Sequence, residues 1–356
     1  MKPLISIGLM LDLTTGLATS AAGQVEDRFY EGRQIKLIVG AALSGSFGIR
    51  ARLVSRFMGH YIPGNPDIVL QAISGASGVG AASYVYSSSK DGLTLGTFNS
   101  ALPFYQAMGQ PGLQFRSDEL SWIGSLGRVV SVIIVWHDLG VKSVEDAKHR
   151  EVIMGATGVR GTTATYPALL NNMFGTKFKI ITGYETNANL YPALERGEVH
   201  GVGGAYWSSY KAAKPDWIRD GTIVPLVQMN TKKDPDLPNV PLVTELATTD
   251  EQREVLDFIL ANTAYEYPYA APPGIPPQRL AMLRRAFDST MKDQTFRAQA
   301  EKQLVEVEPL TGEELQAIVT RILNAPPAVI AKAQDVMTPR GNQRRPGASA
   351  ASNAEE

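Results

Sequence analysis

Short β-branched runs alternate with stretches of helical spacing along most of the chain. Residues 35–40 form an apolar run that stops at a glycine. Beyond the small residues at 41–48, the apolar positions Ile49, Leu53, Phe57 and Met58 recur three to four apart, the spacing of one helix face. The unit of strand, Gly/Ser loop and helix then repeats. Residues 67–71 predict a second strand, residues 73–78 a Ser/Gly loop, and Ala81, Ala82, Val85 and Tyr86 a helix, while residues 94–98 predict a third strand ending at Asn99 and Ser100. Alternation of this kind calls for a mostly parallel sheet with helices on both faces.

The run at residues 129–136 is the longest β-branched stretch and follows a shorter apolar segment at 122–125, which suits a strand that leaves one lobe and enters another. The pattern then restarts. Residues 152–156 predict a strand, 157–165 a Gly/Thr-rich loop, and 167–173 a helix with Pro167 in its first turn, where a missing N–H costs nothing. Residues 178–181 predict the next strand, 183–187 a loop, 189–196 a helix, and 224–229 the last strand of this second unit. A Pro-rich connection at 234–241 precedes a segment at 263–271 that leads back toward the first lobe. Helices predicted at 278–291 and 312–323 should pack on that lobe. A chain that leaves a lobe and later returns makes two crossings, and two crossings make a hinge. A length of 356 residues also exceeds the usual size of one core.

Composition narrows the possibilities. A hydrophobic fraction of 44%, a charged fraction of 19% and a net charge of -1 give no bias toward polyanions, so nucleic acid is not an expected partner. Cysteine is absent, which excludes disulfides, thiolate metal sites, thiol nucleophiles and a lipid-modified cysteine. Lys2, the apolar stretch from Leu4 to Leu11 interrupted afterwards by Asp12, and the small residues Ala18, Ser20, Ala21 and Ala22 follow the order of a secretory signal, with cleavage expected near residues 20–23. No later segment approaches the length of a membrane span. The Gly/Pro/Ser/Ala-rich end, with Arg340, Arg344 and Arg345 before two final glutamates, reads as disordered.

The loops carry the candidate chemistry. In open α/β sheets ligands gather beyond the carboxyl ends of the strands, where helix N-termini present unpaired N–H groups. The loop at 41–48 has no acidic side chain, and its small residues let backbone amides approach an anion such as a carboxylate. The loops at 74–78, 99–100, 157–163 and 184–187 offer the same chemistry. Each one taken singly is also what a tight turn requires, and only their recurrence in both halves favours a shared site. Phe47, Phe104, Tyr184 and Trp207 lie beside these loops and could stack on a ligand, although for each one singly partly buried packing is the favoured reading. Among Arg50, Arg128 and Arg160, the last is the preferred carboxylate partner because it lies inside a glycine-flanked loop.

Signs of catalysis are few. Ser46 follows a strand and precedes a helix, but Ser44-Gly45-Ser46-Phe47-Gly48 misses the first glycine of a nucleophile elbow, and a hydrolase would also need a positioned histidine and acid. Only His60, His137, His149 and His200 exist, with no pair at metal-ligand spacing. Neither a nucleotide-binding glycine motif nor a calcium loop is present, so no metal and no cofactor are expected. An α/β hydrolase using Ser46 stands as one alternative reading, and a non-transport carboxylate-sensing module as another.

Several segments taken together resemble the extracytoplasmic solute receptors of tripartite tricarboxylate transporters, the Bug-type or TctC-like family. They are residues 30–35, Val39-Gly40 with its small-residue loop, residues 51–53, 74–78, 90–92, 238–241 and 271–276, and the resemblance spans about Phe29 to Ala333. It implies a type II periplasmic-binding-protein fold, two α/β lobes joined by a two-segment hinge with a ligand cleft between them. The implied layout is a signal peptide at 1–23, the first part of lobe 1 at 29–133, lobe 2 at 134–261, the return to lobe 1 at 262–338 and a disordered tail at 339–356. The implied function is non-enzymatic: a periplasmic, monomeric receptor that captures a small organic carboxylate by lobe closure and delivers it to a membrane permease. The implied ligand set is Leu43, Ser44, Gly45, Ser46, Phe47 and Gly48, then Ser74, Gly75 and Ala76, then Asn99 and Ser100 in lobe 1. In lobe 2 it is Gly158, Arg160, Gly161, Thr162 and Thr163, with Tyr184, Glu185 and Thr186. One position departs from the family pattern: Gly48 stands where an aspartate is usual, which weakens the case for a ligand with an amino group.

Overall fold

The computed structural model describes residues 28–75, 78–341 and 343–344. The expected signal segment, Ala76 and most of the expected disordered tail lie outside the described residues. The first lobe begins with β1 (Gln34–Val39), α1 (Ser46–Met58), β2 (Asp67–Ala72), α2 (Val79–Tyr86), β3 (Thr94–Thr97), α3 (Leu102–Ala107) and β4 (Ser121–Gly127). The chain then crosses into β5 (Ser131–Trp136), α4 (Val144–His149), β6 (Val152–Ala156), α5 (Thr162–Phe174), β7 (Phe178–Thr182), α6 (Asn187–Glu195), β8 (Gly201–Tyr206), α7 (Trp207–Ala213), α8 (Pro215–Arg219) and β9 (Ile223–Met229). It returns through α9 (Asp250–Leu260) to β10 (Glu266–Ala271), α10 (Pro277–Lys292), α11 (Gln294–Lys302), β11 (Leu310–Thr311), α12 (Gly312–Leu323), α13 (Pro327–Met337) and β12 (Gln343–Arg344).

Each lobe holds a six-stranded sheet, and the two sheets share one plan. The first runs β11-β4-β10-β3-β1-β2 and the second β12-β7-β6-β8-β5-β9. In the first, β1 pairs in parallel with β2 and β3, and β10 is inserted antiparallel between β3 and β4. In the second, β6 pairs in parallel with β7 and β8, and β5 is inserted antiparallel between β8 and β9. The inserted strand in each case is the one that has just arrived from the other lobe. This is the two-lobe α/β architecture expected from the sequence, with β4 and β5 resolving the apolar segments at 122–125 and 129–136 into the last strand of one lobe and the first of the next.

Helices α10 and α12 lie against β4 as expected, and the buried Met282, Leu283 and Phe287 of α10 join β1 and α1 in one apolar cluster. Helix α13 behaves differently. It packs on α5 and α9, and Asn172 of α5 donates to the carbonyls of Val336 and Thr338 at 2.9 and 3.0 Å. A third span of chain therefore passes from the first lobe to the second. A single buried cluster, running from Ile38 and Phe98 through Leu256 and Val319 to Ile133 and Leu169, links the lobes along this side.

Pro167 does not open its helix. Helix α5 begins at Thr162, because Gly161 takes an extended N-cap conformation directly after the short loop, and this leaves Pro167 inside the helix. The proline ring closes against the glycine-rich strand β8: a Cβ on Gly203 would lie 2.4 Å from Pro167 Cγ. Because a prolyl ring has no rotamer through which to yield, Gly203→Ala is expected to lower the unfolding free energy by about 1–3 kcal/mol, the usual cost of overpacking. Urea denaturation at unchanged m-value would check it.

Candidate functional site

The three loops of the first lobe meet at the ends of their strands. A Cβ on Gly78, which has φ +86°, would lie 3.3 Å from Asn99 N and 3.5 Å from Gly40 O, so all three loops are in contact there. The loop after β1 is shorter than expected, since Ser46, Phe47 and Gly48 already belong to the first turn of α1. Gly48 lies directly under the loop: a Cβ would fall 2.0 Å from Leu43 O, while Arg52 Nη1 holds the same oxygen at 2.7 Å. No aspartate fits there without rebuilding the turn, which gives a steric reason for the departure from the family pattern.

A carboxyl nevertheless lies against these loops, from β10. Glu266 is only 6% exposed and accepts a hydrogen bond from the Ser100 hydroxyl, while the Tyr265 hydroxyl donates to Ser100 O at 2.7 Å. Burial pushes the Glu266 carboxyl up to about 7, with the Ser100 hydrogen bond and the charge of Arg50 acting the other way. The next residue, Tyr267, has φ +52°, a conformation that a bulky side chain adopts only at a cost of order 1–3 kcal/mol. Its ring meets that of Phe47 edge-on at 4.7 Å and carries the Arg50 guanidinium 4.1 Å above it, and its hydroxyl bonds to the Ser46 side chain. Arg50 Nη1 reaches Ser46 O at 3.4 Å, but its buried Nε has no partner.

The second lobe faces this cluster through the end of β8. Strand pairing sets Gly127 opposite Glu266 and Ser131 opposite Tyr206, so the two side-chain positions flank one short crossing whose backbone extends at most about 14 Å. Tyr206 is 37% exposed, yet desolvation raises its phenol well above the ordinary tyrosine value, with Glu266, Tyr166, Tyr267 and Tyr105 adding to the effect. Exposed surface enclosed on most sides by protein is what the wall of a cleft presents. The loop before α5 is tied to the same strand, since Thr162 donates to Gly204 O at 3.0 Å and Thr163 Oγ1 accepts from Thr157 N at 3.1 Å.

Of the residues singled out from sequence, Ser46, Phe47 and Ser100 join the cluster, and Leu43, Gly48, Asn99, Gly161, Thr162 and Thr163 shape the loops around it. Ser44, Gly45, Gly158 and Gly75 lie on those loops, with Gly45 as the N-cap of α1 and Gly75 exposed. Among the described residues no hydrogen bond or ring contact joins Ser74, Arg160, Glu185 or Thr186 to the cluster, and the Thr186 hydroxyl is engaged by Asn189 at 2.6 Å. For three of the aromatics the packing reading holds. Phe104 packs on Phe258, and Tyr184 and Trp207 are 3% exposed within the core of the second lobe, so none presents a face to a guest. Of the three arginines, Arg50 is in the cluster, Arg160 is exposed, and Arg128 pairs with Glu308.

Glu266, Tyr105, Tyr206 and Tyr267 escaped the sequence reading. Their only local signal is polar and aromatic side chains at the ends of strand-like runs, and it takes the crossing strands to bring them together. A hydrolytic arrangement around Ser46 is not found. His149 pairs with Glu145, the His200 ring accepts from Ile153 N, His137 lies against Trp136, and His60 follows the far end of α1, about 20 Å of helix away. Among the described residues no group of three or more His, Cys, Asp or Glu could hold a metal ion.

Residues 60–334 match the family described as "Tripartite tricarboxylate transporter family receptor". No curated protein sequence matches the chain. Among solved structures, a TctC solute-binding protein from Polaromonas superposes with a TM-score of 0.68 at 19% identity, covering 86% of this chain and 99% of that one. An R. palustris protein solved with adipate gives 0.56 at 20% identity over 88% and 99% of the two chains. The periplasmic binding protein BugD gives 0.57 at 17% identity over 89% and 100%. At these identities the structures speak for the fold.

Two outcomes follow from the site geometry. Gly48→Asp, although an acid in a first helical turn ordinarily gains about 0.3–1 kcal/mol, is expected to lose at least about 1–3 kcal/mol to the collision with Leu43, as urea denaturation would measure. Glu266 titrates near 7 when folded against an ordinary 4.5, so the folded state holds the extra proton between those values and stability falls as pH rises through that window. The contribution is roughly 3 kcal/mol, complete above about pH 7. Denaturation of Glu266→Gln beside the parent at pH 5 and pH 8 should show the variant gaining relative stability only at the higher pH.

Proposed function

Since the chain belongs to the tripartite tricarboxylate transporter receptor family, we propose that it is a periplasmic receptor that captures a small organic carboxylate between its lobes and delivers it to a tripartite-type membrane permease. The observation that carries this reading is the convergence of both lobes on one cleft: Ser46, Ser100, Arg50 and Glu266 from the first, Tyr206 from the second. The first turn of α1 and the loops at 99–100 and 157–163 supply main-chain donors suited to an anion. The tyrosines supply a wall for an apolar or aromatic body. Each charge-assisted hydrogen bond contributes roughly 1.5–3 kcal/mol, so two or three, with apolar contact in a closed cleft, reach micromolar affinity after ordering costs.

Recognition here proceeds by population shift. A guest that touches both lobes stabilises the closed form by its differential contacts, with no bond made or broken. The related R. palustris structure, solved with adipate, supports a carboxylate as the guest class. The apolar stretch and small residues at the start of the chain support export, and the receptor would act as a monomer.

Thermal denaturation with benzoate, adipate and citrate tests the proposal. A bound acid at a hundred times its dissociation constant stabilises by about 2.7 kcal/mol and raises the melting temperature, and the acid should be recovered unchanged. No rise with any of them counts against a carboxylate receptor. Mass spectrometry of protein from its native host should find a chain lacking roughly the first 22 residues, as the small-residue pattern at the expected cleavage site implies.

A further inference from the structure

Glu266 is an odd residue to find in the wall of an anion receptor. It is a buried carboxyl whose hydrogen-bond partner is the hydroxyl of Ser100, a member of the very loop set that offers donors to a guest. The groups that face it are Arg50 from α1, Tyr105 from α3, Tyr206 from the end of β8, and its neighbours Tyr265 and Tyr267, with Tyr166 from α5 behind Tyr105 and Tyr206. Among the described residues no histidine faces it, and Arg50 is the only cation that does. Charge counting is therefore simple. With Glu266 ionised, it offsets Arg50 and a guest anion meets a cleft with no net positive charge. With Glu266 protonated, Arg50 is uncompensated, and its buried Nε has no partner in the protein.

We propose that Glu266 takes up one proton from solution when an organic anion enters the cleft, and that the resulting carboxylic acid donates a hydrogen bond toward the guest while Arg50 supplies the countercharge. The residue thereby selects for guests that end in an acceptor, carboxylates with no ammonium group at this end, and rests on the receptor reading given above. An ionised carboxylate beside a bound anion in a low-dielectric wall would be strongly unfavourable, and proton uptake is the ordinary escape. Burial already holds Glu266 near neutrality in the empty cleft, about 7, and a bound anion pushes it further in the same direction.

Linkage fixes the sign. Above the free-state value the empty cleft has lost the proton that the filled cleft retains, so affinity falls as pH rises. Between pH 6 and pH 8 the dissociation constant for benzoate or adipate should rise about tenfold, since both acids are ionised over most of that range. Calorimetric titration of the full chain with each acid, at pH 8 in two buffers of different ionisation enthalpy, should count close to one proton taken up per guest. Glu266→Gln, which keeps the shape of the protonated acid, should bind with an affinity that does not change between pH 6 and pH 8 and should take up no proton. The proton count on the unaltered chain stands even if that variant does not fold. Binding with no proton uptake, or binding that tightens as pH rises, overturns this role for Glu266 and leaves the receptor reading in place. Absence of binding by benzoate, adipate and citrate alike at both pH values overturns the two together.

Discussion

Everything at the cleft depends on the way the two sheets exchange strands. Each lobe is completed by a strand that has just crossed from the other, inserted antiparallel between parallel neighbours: β5 in the second lobe, β10 in the first. A strand that enters a sheet in this way begins at the lobe boundary, so its first residues lie close to both lobes. Glu266 and Tyr267 open β10, and Tyr206 ends β8 opposite the first residue of β5. The site is thus made from crossing points, and the loops at the strand ends close around it.

That arrangement explains what could be read from the sequence. The β-branched runs at residues 35–40, 67–71 and 152–156 stand as strands because their periodicity and their bounding glycines are local properties. Strand β8 is different. Gly201 and Gly203 are there because a side chain would strike Ile134 O or Pro167, a demand made by neighbours far away in sequence, and the run carries no strand-like pattern of its own. Pro167 departs from its expected place for a related reason: the loop before it is short, and the helix starts five residues earlier than a proline-first rule allows. The donor-rich loops were legible as composition. The acid and the tyrosines were not, because strand order, and not spacing along the chain, gathers them.

The acid also shows how one physical need can be met from two places. The turn over Gly48 excludes any side chain at the usual family position. Glu266 brings a carboxyl to the cleft from a different element, where it is buried against Ser100 and Tyr265 and not exposed at a helix N-terminus. A carboxylate at a helix start is held ionised by the dipole, whereas one buried in a strand is pushed toward neutrality.

Helix α13 has a consequence for movement. Two crossings of a chain define an axis, and two bodies joined only there swing freely about it. The third span ends in a helix seated on α5 and α9 and tied through Asn172, away from the strands that form the pivot. Any swing has to carry or strain that seat, so the angle through which the jaws can part is set by a strap on the outside of the joint as much as by the joint itself.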